Sequence, residues 1–583
     1  MMQLLVEQPQ RMAREKRLLE ELAQQEKWLT LLGWGSTDGG DLCLHFSMQL
    51  PSVTHEATLV YPAHFPEVPA YIHPRDKKSR WSGHQYGNGG NLCLERGPDN
   101  WDSSVTGADL VRSANKLLWG EFIETVAPGA LPIESRHAVT LGQLLRCKAR
   151  RFLITPAFQA RLDLLDIGES VPLKACTTFL GDASVTFAKS HGDPDALLPG
   201  VPAFPVLEVL HRAGWVIGVS LEDFLRPVTS EQQLRELLGE RWPIPEGPAT
   251  TGSLILLNYG KSGLRAFAVA AGNQQTFGEL AVIYAPVEPE QRQPTSFPRL
   301  ADKKVMFVGL GSMGSKVAIS LARAGVGNVV LLDDDVLMPE NMVRNGLSWR
   351  AVGFDKVQGV AADVRMVAPS ATVSAVTFSV GGQENPSLSA SFGDFLRESD
   401  LVVDCTAAGN AFVALASACK RAKKPMVWAE VFGGGIGGLI ARSRPGLDAD
   451  PLSIRSHISG VLGTLTPVPE EMRLRRVNYE SGEKDAAQVA SDADVTVMAG
   501  HLAQFALDVL TNEESEYPES AYLIGFKRAW EFKQPFDTIP IDCAGAHRQA
   551  DAWAPLSVDE EAAIAELQAA LQPASNAANL GTG

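Results

Sequence analysis

The sequence predicts a multidomain chain: an α+β unit, a mixed α/β region, and then an α/β unit with a doubly wound parallel sheet. Three observations carry this. The chain has 583 residues, several times the roughly 100–200 residues that one domain takes. Near the N-terminus the apolar period changes from that of a helix to that of a strand. From Lys303 onward an apolar strand, a glycine turn and a helix are followed by further apolar strands, the alternation that builds a parallel sheet.

Taken in order, residues 8–32 carry Leu18, Leu22, Leu29 and Leu32 at near-helical spacing among charged residues, which predicts an amphipathic opening helix. Leu42, Leu44, Phe46, Met48 and Leu50 then alternate with mostly polar neighbours, as in a half-buried strand. A second strand falls around Thr58–Tyr61. The stretch YPAHFPEVPAYIHP after it is closed to regular helix, because proline lacks the amide donor and restricts the residue before it. Leu110, Ala114, Leu117, Leu118 and Phe122 rebuild a helical face, completing an α+β unit over residues 1–134. Residues 135–298 mix a helical stretch, EQQLRELLGE, with the apolar strands SLILLNY, LRAFAVA and LAVIYAP. They carry no chemical motif and end in a proline-rich linker, 286–298. Residues 299–572 hold the strand–turn–helix KVMFVGLGSMG–SKVAISLARAGV and the strands NVVLLDDD, DLVVDCT and PMVWAEV. A late buried helix around 493–511 and a last helix around Val558–Leu571 follow, and residues 573–583 read as a flexible tail.

Composition excludes several classes. With 52 Lys+Arg against 68 Asp+Glu the formal net charge is −16, so an overall basic nucleic-acid footprint is not expected. No apolar run reaches the ~18 residues of a membrane span, and the N-terminus lacks a signal core, so a cytoplasmic chain with no membrane partner is expected. The seven cysteines (43, 93, 147, 176, 405, 419 and 543) are odd in number with no Cys-x-x-Cys. That pattern fits neither a disulfide framework nor a cysteine zinc ribbon, so any that matter act singly, as thiols.

Gly309, Gly311 and Gly314 lie between a strand and a helix. Glycines there permit a tight turn and close backbone approach, and the helix N-terminus offers free amides to a phosphate. Asp333 ends the next strand 19 residues after Gly314, placed for a ribose hydroxyl. At this point a NAD enzyme fits as well as an ATP enzyme. The run Asp333-Asp334-Asp335-Val-Leu-Met-Pro-Glu-Asn341-Met-Val-Arg344-Asn345, followed by Lys356, resembles the signature of ubiquitin-activating-type adenylation domains, the ThiF/MoeB superfamily. The resemblance implies an ATP site in which Asp333, Asp335 and Asn341 belong to the nucleotide pocket, Asp333 holding the ribose, while Arg344 and Lys356 engage phosphates. Two fixed cations there can offset the charge that develops as a carboxylate attacks the α-phosphate. The family's Asp-Cys-Thr-Asp is Asp404-Cys405-Thr406-Ala407 here. The Mg2+ carboxylate it implies is therefore Asp404 or Asp335, or adenylation is impaired, since alanine offers no oxygen ligand.

The N-terminal unit carries Tyr61-Pro62, Phe65-Pro66, His73-Pro74, a glycine-rich loop ending Gly90-Asn91-Leu92-Cys93-Leu94, and Trp101. This resembles a ubiquitin-conjugating (UBC-like) domain over roughly residues 20–125, with Cys93 at the position of the catalytic cysteine. The family's His-Pro-Asn triplet is His73-Pro74-Arg75. That leaves Asn88, Asn91, His84 or a loop amide to stand in for the oxyanion-stabilising asparagine. Activating enzymes of this kind often carry a thiol of their own in the loop after the glycine-rich strand, but residues 443–492 contain no cysteine. By elimination Cys543, in PFDTIPIDCAGAHRQ, is the candidate.

Conjugating half first, activating half second, the chain resembles the fused ubiquitin-transferase-like proteins of antiphage CBASS operons. That resemblance implies that ATP and Mg2+ adenylate the C-terminus of a protein, which passes to Cys543, then to Cys93, and finally to a lysine of a target. It also implies that the activated protein is a cGAS/DncV-like nucleotidyltransferase, and that the enzyme is a homodimer. The alternatives are activation of a small ubiquitin-like protein, or a scaffold with decayed sites marked by Arg75 and Ala407.

Overall fold

The computed structural model describes residues 2–82, 84–87, 89–126, 145, 148–199, 209–244, 252–260, 263–269, 277–284, 294, 296–382, 386–465, 467, 490–546 and 557–571. It divides into two compact units, Met1–Cys147 and Lys148–Gly583.

In the first unit, helices α1 (Met2–Glu7) and α2 (Pro9–Gln25) precede strands β1 (Leu29–Ser36), β2 (Leu42–Gln49), β3 (Thr54–Tyr61) and β4 (Tyr71–Pro74). The strands form an antiparallel meander in chain order, and α3 (Gly107–Val126) follows. The core is one face of each element: Leu19 and Leu22 of α2, Leu44, Phe46 and Met48 of β2, Leu59 and Tyr61 of β3, and Leu110, Val111 and Ala114 of α3. The opening helix is shorter than its apolar spacing predicts. It stops at Gln25, and Leu29 instead pairs with Met48 in the sheet; strand pairing against a ready apolar face outweighs local periodicity. Glu15, fully buried, ties three elements together. It accepts from the Tyr61 hydroxyl (3.0 Å) and the Gly107 amide (2.6 Å) and pairs with Arg11 (2.8 Å), so its charge is satisfied.

The second unit begins with a closed seven-stranded barrel, where the sequence led us to expect a mixed α/β region. Its strands are β5 (Arg150–Ile154), β6 (Ser170–Leu180), β7 (Ala183–His191), β8 (Val209–Gly218), β9 (Ser253–Asn258), β10 (Leu264–Val269) and β11 (Gly278–Tyr284), in the order β10-β11-β5-β7-β6-β8-β9. Alternate residues of β9 serve two cores. Leu254 and Leu256 pack with Phe158 and Leu162 of α4 (Pro156–Leu162), while Ile255 and Leu257 pack with Leu234, Leu237 and Leu238 of a helix over Glu231–Leu238.

An eight-stranded sheet follows: β12 (Lys304–Val308), β13 (Asn328–Asp333), β14 (Thr372–Thr377), β15 (Leu401–Asp404), β16 (Met426–Val431), β17 (Gly437–Ser443), β18 (Ala521–Gly525) and β19 (Thr538–Ile541). The order is β14-β13-β12-β15-β16-β17-β18-β19. The first five of these strands pair in parallel, as expected for a doubly wound sheet. The last three are antiparallel, which corrects the all-parallel expectation. Strand order reverses between β12 and β15, the switch point at which open α/β sheets bind ligands beyond the strands' C-terminal ends.

On β17, Arg442 is fully buried. It reaches Asp508 (3.1 Å), the Tyr517 carbonyl (2.6 Å) and Asp448 (3.7 Å), and lies over the Phe505 ring. Removing one partner of a buried pair strands the other charge, at about 3–5 kcal/mol. Asp508→Ala is therefore expected to lower the thermal midpoint of the second unit by several degrees, and a midpoint within a degree of wild type would contradict this account of Arg442.

Candidate functional site

The chain leaves β12 at Gly309 with φ +81°, a left-handed conformation that favours glycine. A Cβ at Gly309 would sit 2.8 Å from backbone atoms of Cys405 and Thr406, so the turns after β12 and β15 pack directly on each other. At Gly314, the first residue of α7 (Gly314–Ala324, in our numbering after two short barrel helices α5, Leu221–Leu225, and α6, Glu231–Leu238), a Cβ would lie 1.9 Å from the Gly309 carbonyl oxygen. Gly311 is the contrast: nothing lies within 4 Å of its Cβ position. The turn is closed at its base and open at its crest, where a ligand can approach the backbone.

Asp333, the last residue of β13, accepts from the Leu310 amide (2.5 Å) and the Asp335 amide (2.9 Å). Burial pushes its carboxyl up, and those two amides pull it back. The carboxylate thus positions the glycine turn. Lys356, buried at the start of α8 (Lys356–Val367), forms an ion pair with Asp335 and donates its backbone amide to the Asp335 carbonyl (2.9 Å). The Lys356 cation is thus already matched by one carboxylate. Asn341 accepts from the Met338 amide (2.9 Å), fixing the short turn that delivers Arg344. Arg344 joins none of the ion pairs Lys356–Asp335, Lys316–Asp492 and Arg455–Glu430 at this end of the sheet. The expected residues Gly309, Gly311, Gly314, Asp333, Asp335, Asn341, Arg344, Lys356 and Asp404 are all carried at the C-terminal ends of β12, β13 and β15.

Three further residues hold this arrangement. Asn345, buried, donates to the Leu310 carbonyl (3.2 Å), so Asp333 and Asn345 satisfy both backbone groups of one turn residue. Ser315 donates to the Gly311 carbonyl (2.7 Å) and accepts from the Gly346 amide (3.0 Å). Lys316 reaches the Arg344 and Ser312 carbonyls and Asp492. Asn345 adjoins Arg344 in the signature run, but its buried bond to the turn is invisible without the fold.

Residues 290–539 match the ThiF family. They form a ThiF-family domain. Similar proteins include an uncharacterised protein of Sinorhizobium fredii, 31% identical over 28% of this chain and 29% of its own length. Another is the ATP-dependent ubiquitin transferase-like protein Cap2 of Enterobacter hormaechei, 35% identical over 18% of this chain and 17% of its own. A third is the molybdopterin-synthase adenylyltransferase of Escherichia coli, 35% identical over 22% of this chain and 49% of its own. The chain thus spans half or less of these relatives' lengths. Among solved structures, the E. coli MccB–ATP complex aligns over 43% of this chain and 66% of its own, at 17% identity and TM-score 0.31.

Within the ThiF domain Asp404 is buried, and its Oδ1 accepts from the Thr406 amide (2.9 Å) and hydroxyl (2.8 Å). Burial pushes its carboxyl up. The Thr406 bonds leave Oδ2 for a ligand, and Arg455 and Glu430, paired at 3.3 Å, are close by. Among the described residues no group of three His, Cys, Asp or Glu is set to hold a metal. One carboxylate oxygen beside nucleotide phosphates nevertheless fits the way Mg2+ is bound, mostly by phosphate and water.

The two thiols differ. Cys543 follows β19 and is 3% exposed, packed in the core with Cys419 and Trp428. Its thiol is pushed up to about 11, first by burial and then by Glu519, Asp542 and Asp448. β19 runs antiparallel to β12 and lies four strands from β15. Cys543 therefore follows the edge strand of the sheet, about 20 Å across it from β15. The structure does not bring it to the ThiF-domain site. Asn88 lies outside the described residues.

Cys93 is partly exposed. It sits on a short hairpin in which Gln85 bridges Leu92, with the Cys93 amide donating to the His84 carbonyl (2.8 Å) and the Tyr86 amide to the Asn91 carbonyl (2.9 Å). Burial raises the thiol, while a hydrogen bond from the Tyr86 side chain lowers it. Trp101 donates to the Pro66 carbonyl (2.7 Å), anchoring the proline-rich segment, and Arg75 is engaged with Glu56 at 3.0 Å. Cys43, Cys176 and Cys419 are buried, and Cys419 is pushed up to about 12. Among the described residues no helix is long and apolar enough to cross a membrane.

Proposed function

We propose that the chain is an ATP-dependent protein-conjugating enzyme that adenylates a protein's C-terminus, carries it as a thioester on Cys93 and transfers it to a lysine. The observation that supports this reading most is the glycine turn, held on both sides by Asp333 and Asn345, with Lys356 and Arg344 carried at the same sheet end. ATP would lie over the open crest at Gly311, its ribose at Asp333. The backbone amides of the glycine turn ahead of α7 and the Arg344 and Lys356 cations would meet its phosphates. Mg2+, held by Asp404 and the phosphates, would offset charge on the departing pyrophosphate. The chain's own part is to align the incoming carboxylate with the α-phosphate and to exclude water from the acyl-adenylate.

The activated protein is, in this reading, a cGAS/DncV-like nucleotidyltransferase, with a small ubiquitin-like protein as the alternative tail, and the enzyme works as a homodimer in the cytoplasm. Pyrophosphate exchange with each candidate partner tests the reading. Exchange with none of them would mark a scaffold, and NAD binding without ATP binding would remove the ATP assignment.

Two routes to Cys93 follow. In the first the acyl group stops at Cys543. The burial of that thiol and its place beside the far edge strand of the sheet favour the second, in which Cys93 attacks the adenylate directly. Cys543→Ala separates them: the direct route predicts charging of Cys93 within about twofold of wild type, and loss of Cys93 charging with adenylation intact would restore the relay.

A further inference from the structure

Beyond the C-terminal ends of β15 and β16 lies a narrow cleft lined by Asp404, Ala407, Phe412, Trp428, Glu430 and Arg455. Trp428 is the in-register partner of Asp404 across the β15–β16 pair, and Glu430, two residues on, shares the Trp428 face of the strand. Phe412 comes from the helix Gly409–Ala422, and Arg455 from the helix Pro451–Thr464. The Phe412 ring places two groups at once. The Trp428 ring meets it edge-on, with centroids 5.3 Å apart, and the Arg455 guanidinium lies over it at 4.1 Å. Because the turn after β15 packs on the glycine turn, the cleft adjoins the proposed nucleotide site. Trp428 is 2% exposed, and its Nε1–H has no hydrogen-bond partner among the described residues. A buried donor left unpaired costs stability, and native structures rarely leave one. An indole can only donate, so what completes Trp428 is an acceptor. Arg455 narrows the choice. Its Nη2 donates to Glu430 at 3.3 Å, which leaves Nε and Nη1 without a partner among the described residues. A guanidinium with donors to spare beside an orphaned N–H fits a planar anion with two oxygens, a carboxylate. The cleft is too narrow for a folded surface and takes the end of a chain.

We propose that Trp428 and Arg455 hold the terminal carboxylate of the polypeptide that the ThiF domain activates, one oxygen on the indole N–H and the other on the guanidinium. The proposal rests on the adenylation reading given above and adds to it the two groups that present the attacking carboxylate to the nucleotide. Phe412 and Glu430 hold the Arg455 guanidinium at the cleft, from one face and one edge.

The test reads the Trp428 indole proton directly, by NMR of the full-length chain carrying isotope-labelled tryptophan. Its resonance is the one missing from Trp428→Phe, and N-acetylglycine serves as a minimal chain terminus. The expected result is a saturable downfield shift of that proton with N-acetylglycine, and a much weaker one with the uncharged N-acetylglycinamide. Arg455→Gln is expected to weaken N-acetylglycine binding about tenfold or more, the share of a charge-assisted hydrogen bond. An unmoved Trp428 proton, equal shifts with the two compounds, or undiminished binding in Arg455→Gln would overturn the proposal. In pyrophosphate exchange Arg455→Gln is expected to raise KM for the activated protein about tenfold, with kcat and ATP binding within about twofold of wild type. An unchanged KM there would equally overturn it. Because the NMR readout needs neither ATP nor a partner, it stands apart from the adenylation reading. A shift in a chain that exchanges pyrophosphate with no candidate keeps the carboxylate site and removes the reaction it would serve.

Discussion

Arg344→Ala is expected to depress ATP–pyrophosphate exchange by about a hundredfold to a thousandfold, the usual cost of losing one preorganised donor to developing charge. The fold should tolerate the change. What the site uses structurally is the Arg344 backbone, whose carbonyl accepts from Lys316, while the guanidinium joins none of the neighbouring ion pairs. Lys356 is a less clean probe, because its loss would leave Asp335 without its partner and disturb the turn that Asp333 organises. Exchange at the wild-type rate in Arg344→Ala, with an unchanged melting profile, would undo the phosphate assignment.

Cys93→Ala is expected to abolish transfer to lysine while leaving pyrophosphate exchange within about twofold of wild type, since adenylation chemistry needs no thiol. The substitution is structurally mild. Cys93 contributes a partly exposed side chain, and the hairpin is held by its backbone bonds to His84 and by the buried Leu92. A conjugate formed at the wild-type rate by this variant would remove Cys93 from the pathway.

What could be read in the sequence was the chemistry that is local along the chain. The glycine turn announces itself because the left-handed Gly309 and the closely packed Gly314 admit little else. Asp333 announces itself because it ends a strand at a fixed distance from that turn. The barrel stayed hidden in part because β9 is buried on both faces. Leu254 and Ile255 serve different cores, so the run SLILLNY has no period to detect. The antiparallel edge of the large sheet was missed for a related reason: strand direction is set by partners far away in sequence, Ala441 against Ala521 and Ala521 against Ile541. The helix expected to run through Leu32 ended early because Leu29 found Met48. Cys543 was singled out by elimination among thiols, a procedure blind to burial and to which strand of a sheet a residue follows. Asn345 acts through a contact that only the folded turn creates.

The central claim is that one chain activates a protein's C-terminus with ATP and holds it on Cys93. The most direct measurement is intact-protein mass spectrometry of the full-length chain incubated with ATP and each candidate partner, with and without a reducing thiol. The account predicts an ATP-dependent mass gain equal to the partner less one water, located on the Cys93 peptide, reversed by the thiol and absent in Cys93→Ala. A mass gain that survives in Cys93→Ala on another cysteine, or no ATP-dependent gain with any partner while ATP is bound, would contradict it.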